Sequence, residues 1–231
     1  MGIYESLKIA AWDANMQLHQ DGLVIQTFGN VSAFDPEAGV FAIKPSGVPY
    51  NQLKPSDMVV LDLDCRVVEG TLRPSSDTQT HAVLFKHIPG IRGVAHTHST
   101  HAVAWAQAQR PIPLLGTTHA DQFQASIPVT PLLSDQAIEG DYEEETGKLI
   151  IQTLEALPKP HPQMILVAGH GPFTWGSTPM EAVIHSGVLE EIARMAFLTL
   201  QIHPNVPPLK ETLVNKHFQR KHGLNAYYGQ K

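Results

Sequence analysis

Short apolar runs of strand length interleave irregularly with longer segments of helical period along the 231 residues. That mixed order limits the fold more than any other feature. Tyr4 to His19 places Leu7, Ala10, Ala11, Ala14 and Leu18 near helical spacing, and Asp21-Gly22 stops that helix. Runs of strand character follow at Leu23–Thr27, Val40–Ile43 and Met58–Leu63, separated by loops at Gly29-Asn30 and Pro45-Ser46-Gly47. Pro74-Ser75-Ser76-Asp77 reads as a helix entrance, ahead of Ala82, Val83, Leu84 and Phe85. Gly93–Thr97 reads as a buried strand running on to Ser99, and the following helix reaches about Ala108, before Pro111 and Pro113. Helical period returns at Tyr142–Leu157 and Pro179–Gln201, with a strand at Met164–Val167 between them and a basic helical segment from Pro208 to His222. This order predicts an α/β fold without the regular alternation of a barrel. No Pro/Gly/Ser-rich linker or charge run divides the chain, and no unit of roughly 20–50 residues repeats, so residues 1–231 read as a single domain.

A net charge of -6 argues against broad binding to nucleic acid or to anionic membrane. No apolar run approaches the ~20 residues that span a bilayer. The N-terminus lacks the basic and apolar regions of a signal peptide. Met1-Gly2 with Ser6 matches a short myristoylation pattern, but no basic patch follows to strengthen membrane binding. One cysteine, Cys65, cannot close an internal disulfide and suits a reducing cytoplasm. Set between Met58–Leu63 and Val67-Val68, it reads as a partly buried, inert thiol. Neither a GxGxxG turn nor a GxxxxGK[ST] loop is present, so dinucleotide and Walker-type nucleotide binding are unsupported.

Histidine is the unusual residue: there are 13, several of them between Gly93 and His119. His96-Thr97-His98 closes a strand, where residues two apart share a face, so both imidazoles can meet one ion. His170, flanked by Gly169 and Gly171, follows a second strand and can project into the same cleft. Three histidines with an open position suit a catalytic Zn²⁺ better than a structural one. A single histidine near a strand end is more often a hydrogen-bonded structural residue, and the trio is what outweighs that alternative. His81, His101 and His119 are weaker candidates; the last two could orient the ligands from behind or serve at caps and surfaces. Asp77, in the first turn of its helix, is either an acidic companion to the metal or simply a helix cap. Ser75 and Ser76 at the same entrance, with the loops Gly29-Asn30 and Ser46-Gly47, offer hydroxyls and free amides to a phosphate. Each loop alone is also an ordinary turn.

Gly29-Asn30-Val31-Ser32, Lys44-Pro45-Ser46-Gly47, Pro74-Ser75-Ser76-Asp77, His96-Thr97-His98, Gly116-Thr117-Thr118-His119-Ala120-Asp121 and His170-Gly171-Pro172-Phe173 occur in order. Together they resemble the class II aldolase/epimerase family, most closely its ketopentose-phosphate 4-epimerases. The carboxyl end, Asn215-Lys216-His217, Arg220-Lys221-His222-Gly223 and Ala226-Tyr227-Tyr228-Gly229-Gln230, extends the likeness over essentially the whole chain. The resemblance implies a three-layer α/β/α fold around a central, largely antiparallel sheet, assembled as a cyclic homotetramer. It implies Zn²⁺, with Mn²⁺ or Co²⁺ as substitutes, held by His96, His98 and His170 with Asp77 as a further ligand. Gly29, Asn30, Ser46, Gly47, Ser75 and Ser76 match phosphate-binding loops. Asp121 and Tyr228 match an acid/base pair, the tyrosine being supplied by a neighbouring subunit across an interfacial active site. Phe28 stands where a tryptophan is common, and Ala168-Gly169 precedes His170 where bulkier or polar residues are usual; neither removes a reacting group.

The implied substrate is a phosphorylated ketopentose, L-ribulose 5-phosphate, interconverted with D-xylulose 5-phosphate in the cytoplasm. Its C4 proton lies β to the C2 ketone and is not acidic, so inversion there calls for cleavage and rejoining of C3–C4. Two rival readings accompany this one. A class II aldolase such as an L-fuculose-phosphate aldolase resembles the chain but carries glutamate where Asp77 stands. A non-catalytic domain on the same fold, as in adducin, would have no need of the three histidines.

Overall fold

The computed structural model describes residues 2–229; Met1 of the myristoylation pattern and Gln230 of the tail motif lie outside the described residues. Seven strands form one sheet: β1 (Asn30–Asp35), β2 (Val40–Ile43), β3 (Val59–Asp62), β4 (Val67–Glu69), β5 (Gly93–His96), β6 (Met164–Val167) and β7 (Gly171–Gly176). Their spatial order is β4-β3-β2-β1-β5-β7-β6, and every neighbouring pair is antiparallel. Eight α-helices accompany them among the described residues: α1 (Glu5–Gln20), α2 (Thr78–His87), α3 (Thr100–Gln107), α4 (Thr117–Ala120), α5 (Asp135–Glu139), α6 (Tyr142–Glu155), α7 (Pro179–Ile202) and α8 (Glu211–His222).

The side-chain alternation of the strands sorts the core onto two faces. Phe41, Ile43, Val94, Ile165, Val167, Phe173 and Trp175 pack with Leu84 and Phe85 of α2 and with Ile150 and Leu154 of α6. From the opposite face Val31 and Ala95 meet Ala14 and Leu18 of α1 and Ala182 and Val183 of α7. Met164 and Leu166 meet Ala102 and Trp105 of α3 together with Leu189 and Ile192 of α7. Both faces are covered, which is why β2, β5 and β6 are buried along their whole length. The result is the three-layer α/β/α arrangement implied by the motifs.

Three local expectations change. Leu23–Thr27 is not a strand: Leu23 and Val24 turn into the α1/α7 core, Ile25 is exposed, and Gln26 takes a left-handed φ of 55°. Asn30 opens β1 rather than sitting in a loop, and β5 stops at His96, two residues before His98. Strand β7 begins at Gly171-Pro172, where glycine and proline disguise its start. Cys65 stands at the β3–β4 turn with φ 61°, packed against the core, and burial pushes its thiol pKa up. No helix among the described residues is long and apolar enough to cross a membrane.

Candidate metal centre and acid–base cluster

Register places the first metal candidate at the centre of the sheet. His96, the last residue of β5, pairs with Asn30 on β1 and with Phe173 on β7. Its ring stacks on Phe173 with centroids 4.3 Å apart. Nδ1 lies 2.9 Å from the Pro172 carbonyl, which can only accept, so that nitrogen carries the proton and Nε2 keeps its lone pair. His96 Nε2 lies 3.0 Å from Nε2 of His98, and one ligand nitrogen from each of His96, His98 and His170 falls within 4.8 Å of the others. The trio therefore fits a divalent ion: three convergent imidazoles with one tautomer already fixed. Burial, reinforced by His96, pushes the pKa of His98 down and that of His170 to about 4, leaving both rings neutral as ligation requires. Two close backbone approaches hold the cradle. A Cβ on Gly29, at φ +73°, would lie 2.8 Å from the His96 carbonyl. One on Gly171 would lie 2.9 Å from the Thr97 carbonyl, so the turn after His170 passes against the His96 strand only as glycine.

Asp77 stands beside this trio. It precedes α2 but its side chain makes no cap hydrogen bond. Instead Oδ2 accepts from Asn30 Nδ2 at 2.6 Å, and Asn30 also reaches Ser75 Oγ at 3.1 Å. Burial raises its pKa, but the neighbouring His96 and His81 imidazoles and the Asn30 hydrogen bond outweigh burial and hold the carboxyl below its usual range. The carboxylate does not join the group of converging ligands. The small polar loops gather on the same side. Ser46 N donates to the Arg73 carbonyl at 2.9 Å and Ser75 N to the Lys44 carbonyl at 3.0 Å, with Pro45 and Pro74 bridged between them. Gly29-Asn30, Ser46-Gly47 and Ser75-Ser76 thus come together, with Lys44 buried beneath them. Lys44 Nζ lies 3.4 Å from the Thr27 and Pro45 carbonyls and 4.9 Å from the Tyr50 ring centroid; burial brings its pKa down to about 8.

Asp121 directly follows the single turn of α4, and its carboxylate is met by the far end of the chain. Arg220 donates from Nε to Oδ1 at 3.0 Å and from Nη2 to Oδ2 at 2.6 Å. His217 Nδ1 lies 2.9 Å from Oδ1 and Lys221 Nζ 3.8 Å from Oδ2. Burial pushes the Asp121 pKa up, yet the Arg220 and His217 hydrogen bonds and the charges of Lys221 and Arg220 hold it low. The Tyr228 ring lies under Arg220, 4.9 Å from Cζ to centroid, and under Lys221 at 4.6 Å. Arg220 and Lys221 therefore link the two acid/base candidates within one chain. No hydrogen bond or ring contact among the described residues joins them to the three histidines.

Residues 10–197 match the family model described as Class II Aldolase and Adducin N-terminal domain. This chain belongs to the class II aldolase family. A protein of Salmonella paratyphi A named L-ribulose-5-phosphate 4-epimerase UlaF is 54% identical over 227 residues, covering 98% of this chain and 100% of its own length. Among solved structures, an L-fuculose 1-phosphate aldolase superposes with a TM-score of 0.78 at 24% identity, covering 93% of this chain and 95% of that one. Another from Glaciozyma antarctica does so at 0.75 and 20%, covering 94% and 81%. These two likenesses establish the class II aldolase fold alone.

Within this class II aldolase chain, the structure decides between the two roles open to the other histidines. His101 pairs with Glu190 at 2.7 Å and His119 with the Ala125 carbonyl at 2.9 Å, so neither orients a metal candidate. His81 lies fully buried at 2.7 Å from Ser32 Oγ, on the sheet face that carries His96. Three residues that lie beside the candidate groups were not singled out by the sequence reading. Lys44 stood within a quoted motif as its first residue; His217 stood within the tail motif. Tyr142, whose hydroxyl lies 3.3 Å from His170 Nδ1, carried no local signal.

Proposed function

We propose that this class II aldolase family member is a cytoplasmic L-ribulose-5-phosphate 4-epimerase, interconverting L-ribulose 5-phosphate and D-xylulose 5-phosphate. The observation that carries this reading is 54% identity, over essentially both full chains, to a protein so named, joined to an intact histidine trio. His96, His98 and His170 would hold Zn²⁺, or Mn²⁺ or Co²⁺ in its place, with the Asp77 carboxylate as a charged neighbour of the ion rather than one of the three converging ligands. A divalent ion there would supply Lewis acidity to the C2 and C3 oxygens, stabilising by several kcal/mol the charge that develops as C3–C4 breaks.

The chain's own groups manage the rest. The loops Gly29-Asn30, Ser46-Gly47 and Ser75-Ser76, through their hydroxyls and through amides other than those of Ser46 and Ser75, grip the phosphate together with the buried charge of Lys44. One of Asp121 and Tyr228 takes the C4 hydroxyl proton. As C3–C4 breaks, its electron pair passes to the C2–C3 fragment and C4 becomes an aldehyde still tethered by its phosphate. The aldehyde turns, C3–C4 re-forms on its other face, and the second group returns a proton to the new C4 alkoxide. Two such groups are needed because the C4 oxygen points in opposite directions before and after.

Asp121 and Tyr228 are joined through Arg220, so they travel as one unit; in a cyclic homotetramer that unit completes the neighbouring subunit's site. Tyr228, 61% exposed, and the exposed Met195, Leu198 and Ile202 of α7 are consistent with such an assembly. Incubating the Zn²⁺-loaded protein with L-ribulose 5-phosphate should yield D-xylulose 5-phosphate. Accumulation of glycolaldehyde phosphate and dihydroxyacetone as the main products would instead mark an aldolase.

A further inference from the structure

Arg220 touches both members of the acid–base pair. The edge of its guanidinium donates to the two Asp121 carboxylate oxygens at 3.0 and 2.6 Å, a two-point fork. Its face covers the Tyr228 ring at 4.9 Å. Its carbonyl accepts the amides of Tyr227 and Tyr228 at 3.0 and 3.1 Å, turning the tail back over the helix end. Other charged groups face Asp121, but none does all three. Lys221 reaches Oδ2 and the ring, His217 reaches Oδ1, and His222 binds only the Asp121 backbone carbonyl at 2.9 Å. On Asp121's own side, His119 is turned to the Ala125 carbonyl. A carboxylate offers about four acceptor positions. The fork fills two and His217 a third, so one remains for a substrate hydroxyl.

We infer that Arg220 is the positioning residue of the acid–base pair, fixing Asp121 and Tyr228 in one geometry so that both act on the same substrate oxygen. It transfers no proton itself, since a guanidinium stays charged throughout. The inference rests on the acid–base roles given to Asp121 and Tyr228.

Arg220→Met, Arg220→Lys and Asp121→Asn, alone and as the Asp121→Asn/Arg220→Met double variant, test it on the metal-loaded enzyme. Arg220→Met should lower kcat by roughly 10²-fold while KM stays within about threefold, as for loss of a group acting in the transition state. The acid limb of its kcat profile should move to higher pH, because Asp121 has lost its strongest partner. Arg220→Lys, which keeps the charge without the fork, should lose less rate and show a smaller displacement. In the Asp121→Asn background Arg220→Met should cost less than it does alone, leaving only the part that acts through Tyr228, since partners in one unit are not additive. An unchanged kcat and acid limb in Arg220→Met, or a full additive loss in the double variant, overturns the inference. If Arg220→Met does not fold, Arg220→Lys decides by the same two readouts. Asp121→Asn at full rate would remove the acid–base reading itself; an impaired Asp121→Asn beside a normal Arg220→Met would remove only the role of Arg220.

Discussion

His96 and His170 are set by neighbouring strands of one sheet and packed around Phe173, whereas Asp121 finds Arg220 only because α8, 99 residues downstream, folds back onto α4. In the first region three backbone segments are locked by register and by glycine contacts, and the histidines sit against the buried sheet. In the second, polar contacts predominate, and only Val214 of α8 is buried. The metal cradle should therefore survive damage to the tail, and the tail should survive loss of the metal. In the proposed reaction, grip and proton transfer are separate units that meet at the substrate.

The largest effect breaks the cradle. His170→Asn should lose the metal and lower kcat by about 10³-fold or more, since several kcal/mol of charge stabilisation go with it and each ~1.4 kcal/mol is tenfold. Metal analysis and turnover of L-ribulose 5-phosphate check this, and retention of both would remove His170 from the ligand set. Protection of the α8 amides should be unchanged in the same variant. In the mirror case, Asp121→Asn should keep its metal; metal loss there would show that the two regions are not independent.

The same contrast explains what could be read from the chain alone. His96-Thr97-His98 and Gly169-His170-Gly171 announce themselves because the strand and the turn that aim them are written in the adjacent residues. Long helices such as α1 and α7, and the short apolar strands β2 and β6, were legible for the same reason. Strand β1 was not, because Asn30 and Ser32 on its face toward α2 are polar although buried, Asn30 binding Asp77 and Ser75 and Ser32 binding His81. Asp77 shows the limit of local reading: at a helix entrance it looks like a cap, yet Asn30, 47 residues away in sequence, draws it aside. The Asp121–Arg220 fork and the Tyr142–His170 contact depend entirely on tertiary packing and have no periodic signature.

The loops proposed to hold the phosphate lie on the Asp77 side of the metal candidates, and their pH response should touch binding rather than chemistry. Lys44 is buried and its pKa lies at about 8, so its charge fades as pH rises from 7 to 9. A substrate phosphate, with a second pKa near ~6, stays doubly charged over that range. KM for L-ribulose 5-phosphate should therefore climb above pH 8, approaching about tenfold per pH unit, with kcat little changed. Lys44→Met should show a high KM at every pH and lose the upward bend. A KM that stays flat to pH 9.5 in the unmodified enzyme would separate Lys44 from the phosphate.

The smallest effect concerns the latch that joins α8 to α4. The Asp121 pKa is held below its unfolded value of about 3.9, so the ion pairs contribute stability that is fully present above that value and lost as pH falls through the folded one. Partly exposed pairs of this kind are worth roughly 0.2–1 kcal/mol, equal to about a 1.4- to fivefold change in local opening. Hydrogen exchange, corrected for its intrinsic pH dependence, should show α8 amides opening by up to that factor as pH falls below about 3.9 while amides of β5 and β7 hold their protection. In Asp121→Asn, which has no carboxylate to protonate, α8 should already be the looser element at pH 7 and should not loosen further on acidification. Loss of protection in α8 and the sheet together would mean that the tail is part of the cooperative core, and that the acid–base unit is no more detachable than the metal cradle.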